Sequence, residues 1–404
     1  MRILALGCGD MGRMAIAVLL DSPIVSSITV ADINIELAKA VVELVGSDKL
    51  SAFQIDINDK ENLVKLMLEH DVVMNTVGPF YKFAKPVIEA VIKAKKPLID
   101  ICDDWKPTLE VLEMDQEAKD AGITAVIGIG ASPGITNLLA VLAGNEFDEV
   151  EEITTAWGVK LMKEGKKPLH YVQRKKLKKS GIQLPEGSAA LVHLFYECVG
   201  KIPTYRNGEM VEIEALTEAQ PFEFPGFRKI KPRHVGHPEP VTLSRTINAS
   251  TISNVMFLGT TITNALMTLK ERVEKKELTI KEAAIEFENI ERKMRKPLNL
   301  LRIFFKELIN HPPILCVNAT GIKDGRRKKI ALGLSRAPFD EMAGVTGVPL
   351  AITTIMLAEG KILAKGILTP EEAIDPVDFF NRLAQYCGKN LEGKDILIKE
   401  EIDI

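Results

Sequence analysis

From Arg2 to about Gly130, short and nearly continuous apolar runs alternate with amphipathic segments of helical period. That is the pattern of consecutive β-α-β units around a parallel sheet. Six strands are expected, at Ile3–Leu6, Ser27–Ala31, Ala52–Ile55, Val72–Thr76, Leu98–Ile101 and Thr124–Ile129. Their near-continuous apolarity suits strands covered on both faces. Helices are expected between them at Met11–Leu20, Ile35–Val45, Glu61–Leu68, Ala84–Lys93 and Leu109–Ala121, and right-handed crossovers would place them on both faces of the sheet. Residues 1–130 therefore predict a doubly wound α/β domain.

Beyond Gly130 the rhythm changes to longer strands, uneven helices and a basic loop, which predicts a second domain of different construction over residues 131–342. Between Asn264 and Leu308 the Glu/Lys-rich pattern, broken only by Pro297, predicts one or two helices. Val317–Ala319 and Ile330–Leu334 flank Lys323-Asp324-Gly325-Arg326, and Asp-Gly between two apolar runs signals a hairpin. Helical patterns return at Val348–Gly360 and Asp378–Cys387, within a closing segment 343–404.

Composition narrows the function classes. The 404 residues exceed what one core usually supports, so two domains are the default. A net charge of -3 gives no argument for a nucleic-acid or membrane-surface partner and favours a small-molecule substrate. Five scattered cysteines without a CxxC pair fit reduced thiols, with neither a disulfide framework nor a zinc ribbon, and no metal is expected. With no apolar leader or spanning run, a cytoplasmic location is expected.

The strongest chemical signal is Gly7-Cys8-Gly9-Asp10-Met11-Gly12, directly after the first strand and opening the first helix. There Gly7 permits a tight turn, Gly9 lets backbone amides approach a pyrophosphate, and Gly12 allows close helix-to-strand packing. Asp32 lies 20 residues after Gly12 at the end of the second strand, where a carboxylate accepts the adenosine ribose hydroxyls. This favours NAD; NADP would require a cation to offset Asp32, for which Arg13 is the nearby candidate. The plainer alternative is that Asp32 caps the helix beginning near Asn34.

Two further strand ends point to the same sheet edge. Thr76, Gly78, Pro79 and Phe80 follow the fourth strand, either as a simple turn or as backbone lying close to the cofactor. Asp103 and Asp104 follow the fifth, where a carboxylate can hold a substrate ammonium or accept its proton while hydride leaves the adjacent carbon. Alternatively, they cap the next helix. In the second domain Arg206, Arg228, Arg233 and Arg245 are candidate partners for substrate carboxylates. His237, in a Gly-His-Pro-Glu turn, is a candidate proton carrier or an ordinary packed histidine. The nine Lys and Arg between Lys160 and Lys179 fit a solvated loop or a lid over an anionic cofactor.

The segments GCGDMG, DVVMNTVGPF, PLIDICDD and GIGASPGITNLLA, in this order, resemble the saccharopine dehydrogenase-like family; TYRNGEMVEIEAL, GHPEPVTLSRT, VTGVPLAITTIMLAEGKI and ILTPEEAIDPVDFF agree with it. The resemblance implies a Rossmann domain completed by C-terminal helices, with an inserted mixed-sheet α/β domain that often supports a homodimer. It also implies NAD(P)-dependent hydride transfer at a carbon bearing nitrogen, on an amino acid or polyamine-like amino acid. Gly7, Gly9, Gly12, Asp32 and Gly78-Pro79-Phe80 match the family's cofactor positions, and Gly134 and Asn137 match its domain junction. Together with residues chosen for their chemistry, the candidates for substrate contact are Trp105, Pro133, Gly134, Asn137 and Arg245. The junction carries Ser132 and Thr136-Asn137 instead of the acidic and Asp-His pairs of saccharopine reductases, which argues against saccharopine itself. A non-catalytic dinucleotide sensor and a reductase of a lipid-like substrate are the alternative readings.

Overall fold

In chain order, a computed structural model, which describes residues 1–158, 163–183, 189–227, 229–294 and 311–404, begins with β1 (Arg2–Leu6), α1 (Asp10–Leu20), β2 (Ser27–Asp32) and α2 (Ile35–Val45). It continues with β3 (Leu50–Gln54), α3 (Lys60–Leu68), β4 (Val72–Asn75), α4 (Phe80–Ala94) and β5 (Leu98–Asp100). Then come α5 (Trp105–Leu112), α6 (Asp115–Asp120), β6 (Thr124–Val126) and α7 (Ile135–Gly144). The single helix expected at Leu109–Ala121 is thus two, parted where Met114 turns out of helical geometry and buries its side chain.

The next elements are β7 (Glu149–Gly158), β8 (Lys163–Glu164), α8 (Arg174–Lys179), α9 (Ala189–Cys198), β9 (Lys201–Arg206), β10 (Glu209–Glu214) and β11 (Arg233–His234). They are followed by α10 (Glu239–Leu243), β12 (Thr251–Phe257), α11 (Thr260–Glu274) and α12 (Ile280–Met294). Residues 295–308 of the expected helical stretch, residues 160–162 of the basic run, and Arg228 lie outside the described residues. The chain closes with β13 (Leu315–Lys323), β14 (Arg326–Leu334), β15 (Arg336–Ala337), α13 (Glu341–Ala358), β16 (Gly366–Leu368), α14 (Pro370–Ala373), α15 (Pro376–Cys387), α16 (Gly393–Ile396) and β17 (Leu397–Asp403).

These elements form two compact units. The first is assembled from Met1–Leu138, Lys163–Leu184 and Arg336–Ile396, the second from Leu139–Met162, Pro185–Ser335 and Leu397–Ile404. The basic segment and the closing helices therefore fold with the first unit, and the last strand folds with the second.

In the first unit seven parallel strands run in the order β16-β6-β5-β4-β1-β2-β3. Buried Val, Ile, Leu and Ala fill β1, β4, β5 and β6, as strands covered on both faces require. β3 departs from that expectation: it is the edge strand and leaves Phe53 43% exposed. The seventh strand, β16, is contributed only after the chain has returned from the second unit. The order reverses between β1 and β4, so the crevice at their carboxyl ends is where an open parallel sheet receives its ligand.

The second unit holds an eight-stranded sheet in the order β10-β9-β12-β7-β13-β14-β17, with β11 also paired to β12. Only β7 and β12 pair in parallel; the other pairs are antiparallel, so the sheet is mixed. The β13–β14 hairpin turns at Asp324 (φ 53°) and Gly325 (φ 71°), the two positive angles that a tight hairpin requires of Asp-Gly. α9, α11 and α12 pack Phe195, Leu266, Leu269 and Phe287 with Met256 of the sheet, whereas Phe222, Phe224 and Phe257 fill a separate core with Ala156 and Ala331.

Candidate active site

The phosphate loop leaves β1 through Gly7, whose φ of 85° excludes most side chains and whose amide donates to Ala31 O at 2.8 Å. Thr76, at the end of the neighbouring β4, locks this turn by donating its hydroxyl to Leu6 O (3.0 Å) and Gly7 O (3.1 Å). A Cβ built on Gly12 would lie 2.4 Å from Gly7 O, so glycine is required there for helix α1 to close on the strand. Gly9 differs: a Cβ there meets nothing within 4 Å. The protein's own packing does not demand that glycine, and the open space beside it fits a pyrophosphate. No side chain caps α1, so the first amides of the helix have no intrahelical partner and present the positive end of the helix dipole, with Asp10 and Met11 half-buried in its first turn.

Asp32 stands at the carboxyl end of β2. Its carboxylate accepts from Cys8 N (3.0 Å) and from Asn34 N (2.9 Å), bridging the phosphate loop to the start of α2. Asn34, not Asp32, caps α2, accepting from Leu37 N. The cation reserved for a 2′-phosphate does not serve that purpose. Arg13 is 3% exposed and turned inward, donating to Cys8 O (2.8 Å) and Val172 O (2.8 Å) and pairing with Asp10. Burial, first, and the neighbouring Asp32 charge push the Cys8 thiol far up, which keeps it a neutral thiol beside the carboxylate.

At the next strand ends, Thr76, Gly78, Pro79 and Phe80 are half-buried along the edge, and Phe80 opens α4. Three carboxylates follow β5, each with a different environment. Asp100 is 2% exposed and accepts from Asn75 Nδ2 (2.6 Å) and Cys102 N (2.6 Å). Its burial, only partly offset by those bonds, raises its pKa to about 6. Asp104 occupies the N-cap position of α5, yet its carboxylate accepts from Tyr81 N in the first turn of α4 (3.0 Å). It therefore caps the neighbouring helix, which the capping alternative for this pair did not foresee. Asp103 lies between them, half-buried, with Trp105 half-buried two residues on.

The crossing from β6 to α7 closes on itself. A Cβ on Gly134 (φ 114°) would lie 2.3 Å from Gly130 N, Gly130 N donates to Pro133 O at 3.0 Å, and Ile135 N donates to Gly130 O at 2.9 Å. Asn137 is fully buried, accepting from Gly134 N (3.1 Å) and donating to Glu371 (2.8 Å), so it braces the loop that carries Pro133.

The remaining candidates belong to the second unit. Arg245 is exposed just after α10, Arg206 is exposed at the end of β9, and Arg233 is half-buried with its guanidinium on Leu216 O at 2.7 Å. His237 is 5% exposed in its side chain and meets Glu197 Oε1 at 2.5 Å and Glu239 Oε2 at 3.4 Å. Burial would lower its pKa, but the two carboxylates outweigh this and raise it to about 10. With no ion bound, the two carboxylates favour the charged ring, which does not support the proton-carrier reading. Sequence reading missed Asp100, Asn75 and Glu371 because short polar side chains at strand and helix ends look like ordinary turn residues. It also missed His193 and Glu197, whose helical spacing of four was the available signal.

A parallel sheet with its switch point between β1 and β4, an uncapped helix after the first strand and a fixed carboxylate after the second define an NAD(P)-binding oxidoreductase fold. The family model described as the saccharopine dehydrogenase NADP binding domain matches residues 3–126, and that of the saccharopine dehydrogenase C-terminal domain matches residues 130–389. The chain belongs to the saccharopine dehydrogenase family. It is 23% identical to the carboxynorspermidine synthase of Vibrio cholerae over 421 residues, covering 95% of this chain and 94% of that protein. It is 34% identical to the NADP, L-glutamate-forming saccharopine dehydrogenase of Pyricularia oryzae over 156 residues, covering 39% and 31%. In fold it matches the apo L-Glu-forming saccharopine dehydrogenase of Saccharomyces cerevisiae, with a TM-score of 0.61, 17% identity and 99% of each chain covered. Among the described residues no helix is long and apolar enough to cross a membrane.

Proposed function

We propose that this protein catalyses NAD(P)-dependent hydride transfer at a carbon–nitrogen centre of an amino acid or a polyamine-like amino acid. The observation that carries this reading is the carboxylate group after β5, two strands from the phosphate loop on the same sheet edge. A bound nicotinamide supplies the acceptor or donor of hydride. Gly7, Gly9, Gly12 and Asp32 hold the dinucleotide, and Thr76 with Gly78-Pro79-Phe80 shapes the edge beside it.

The three carboxylates divide the remaining work. Asp100 and Asp104 are engaged with Asn75, Cys102 and Tyr81, and they fix the loop. Asp103, half-buried at the carboxyl edge of the sheet, is the proposed group that holds the substrate ammonium or takes its proton. Trp105 is two residues from Asp103 in sequence, and the junction comes near the same loop through Pro133, since a Cβ on Gly128 would lie 2.9 Å from Pro133 Cγ and 3.4 Å from Cys102 O; Asn137 acts through the junction's shape. Asp32 with Arg13 turned inward favours NAD over NADP, since a 2′-phosphate would meet a negative charge. The likeness to carboxynorspermidine synthase over nearly the whole chain favours a carboxylated polyamine over saccharopine. Five buried free cysteines support a reducing, cytoplasmic setting, and the family likeness supports a homodimer.

The test is spectrophotometric. Purified protein with NAD or NADP is offered lysine, ornithine, saccharopine and carboxylated polyamines, and the reductive direction is run with the corresponding imine precursors. Appearance or loss of reduced-nicotinamide absorbance with one member, faster with NAD(H), is the expected result. Silence across the panel in both directions overturns the proposal.

A further inference from the structure

His193 and Glu197 are four residues apart on α9 and therefore share one face of that helix. His237 comes from the turn before α10, which is tied to the same helix by Gly236 N donating to Glu197 O at 2.9 Å. The three side chains converge on one point. Nε2 of His193 and Nε2 of His237 both meet the same oxygen, Oε1 of Glu197, the latter at 2.5 Å. The three candidate ligand atoms lie within 4.8 Å of one another.

The surroundings match what a metal ion needs. Behind His237, its other ring nitrogen faces Glu239 Oε2 at 3.4 Å, and Glu239 is fixed in turn by Asn254 Nδ2 at 2.8 Å, which also reaches Thr155 Oγ1 at 2.9 Å. A carboxylate behind a metal-bound histidine is the usual means of setting its tautomer and orientation. Glu197 and Glu239 are 2% and 0% exposed, and two buried negative charges require two compensating positive ones. With no ion bound, protonated His193 and His237 supply that charge; a dication held by the two imidazoles in their neutral form supplies the same balance. His193 is the most open of the three, its side chain 14% exposed, so access and a remaining coordination position lie on its side.

We propose that His193, Glu197 and His237 form a site for a divalent transition-metal ion of the zinc class, with Glu239 orienting His237 from behind and one position left for water. Two histidines and one carboxylate are a zinc ligand set; with ligand bonds of about 2.0–2.2 Å, an ion entering the cluster would part the imidazole nitrogens from Glu197 Oε1. The ion pins α9 to the turn before α10, and this role is independent of hydride transfer in the first unit. It also runs against the expectation of no metal, which rested on the cysteine spacing.

The test uses the untagged full-length chain, stripped with a chelator and then titrated with Zn²⁺ alone against a chromogenic competitor, with metal content measured by mass spectrometry. One Zn²⁺ per chain is expected, together with visible Co²⁺ absorption of a low-symmetry four- or five-coordinate ion. His193→Ala should weaken binding by about 10²-fold or more, and Glu239→Gln by about 10–100-fold with stoichiometry retained. Circular dichroism of each variant separates loss of the site from loss of the fold. A wild-type chain that takes up no stoichiometric Zn²⁺ at micromolar concentration overturns the proposal and leaves the cluster a buried ion-pair network. So does equal uptake by a folded His193→Ala, His237→Ala double variant.

Discussion

Gly9 and Gly12 are three residues apart in one loop, and each is glycine for a different reason. A methyl group on Gly12 would lie 2.4 Å from Gly7 O, and one on Gly9 would meet no protein atom within 4 Å. Gly9 also has φ -62° and ψ -171°, angles open to alanine. Gly12→Ala should therefore destabilise the first unit by about 1–3 kcal/mol through overpacking. Gly9→Ala should leave the thermal midpoint nearly unchanged and weaken NAD(H) binding at least about tenfold, roughly 1.4 kcal/mol. Calorimetric binding and melting of the two variants check this, and an unchanged affinity in Gly9→Ala would remove the pyrophosphate from that position. Asp103→Asn should lower kcat/KM by about 10²-fold or more at undiminished NAD affinity. Steady-state kinetics on the substrate found by the panel decides it, and a loss smaller than about threefold rejects Asp103 as the ammonium partner.

At the scale of elements, Asp100 ties the end of β4, through Asn75, to the loop that leaves β5. Its pKa, raised to about 6 from 3.8 by burial, means that the folded state binds this proton more tightly than the unfolded chain. The stabilisation is fully present below about pH 4 and is lost as pH rises through about 6, of order 3 kcal/mol for a shift of this size. Urea unfolding at pH 4 to 7 should show the wild type losing stability relative to Asp100→Asn as pH increases. A difference that stays constant or grows in the wild type's favour contradicts the raised pKa. The Asp-rich loop was legible in sequence as a carboxylate cluster at a strand end. Which carboxylate is buried, which caps α4 and which stays half-buried was not, because these roles depend on Asn75 and Tyr81 of a neighbouring unit of the sheet.

For the whole molecule, the first unit is completed only by the returning segment Arg336–Ile396. That segment supplies β16, paired with β6, and α13, which fits so closely on α1 that a Cβ on Gly347 would lie 2.6 Å from Met11 O. A chain ending at Ser335 should therefore fail to bind NAD(H), whereas the full chain at about a hundredfold excess of cofactor over Kd should gain roughly 2.7 kcal/mol. Cofactor-dependent melting of both chains checks this. A truncated chain with undiminished cofactor stabilisation shows that the return is dispensable.

By itself, the order of residues determined the parallel strands, the glycine loop, the place of Asp32 after the second strand and the change of construction after Gly130. These depend on local period and on motifs whose spacing is set within one β-α-β unit. Tertiary structure decided the rest. It turned Arg13 inward to Cys8 and Val172, placed β16 beside β6, and assigned distinct partners to Asp100 and Asp104. It also brought His237 to His193 and Glu197. Each of those outcomes joins residues distant in sequence, and burial together with charge pairing across that distance sets the chemistry of the groups involved.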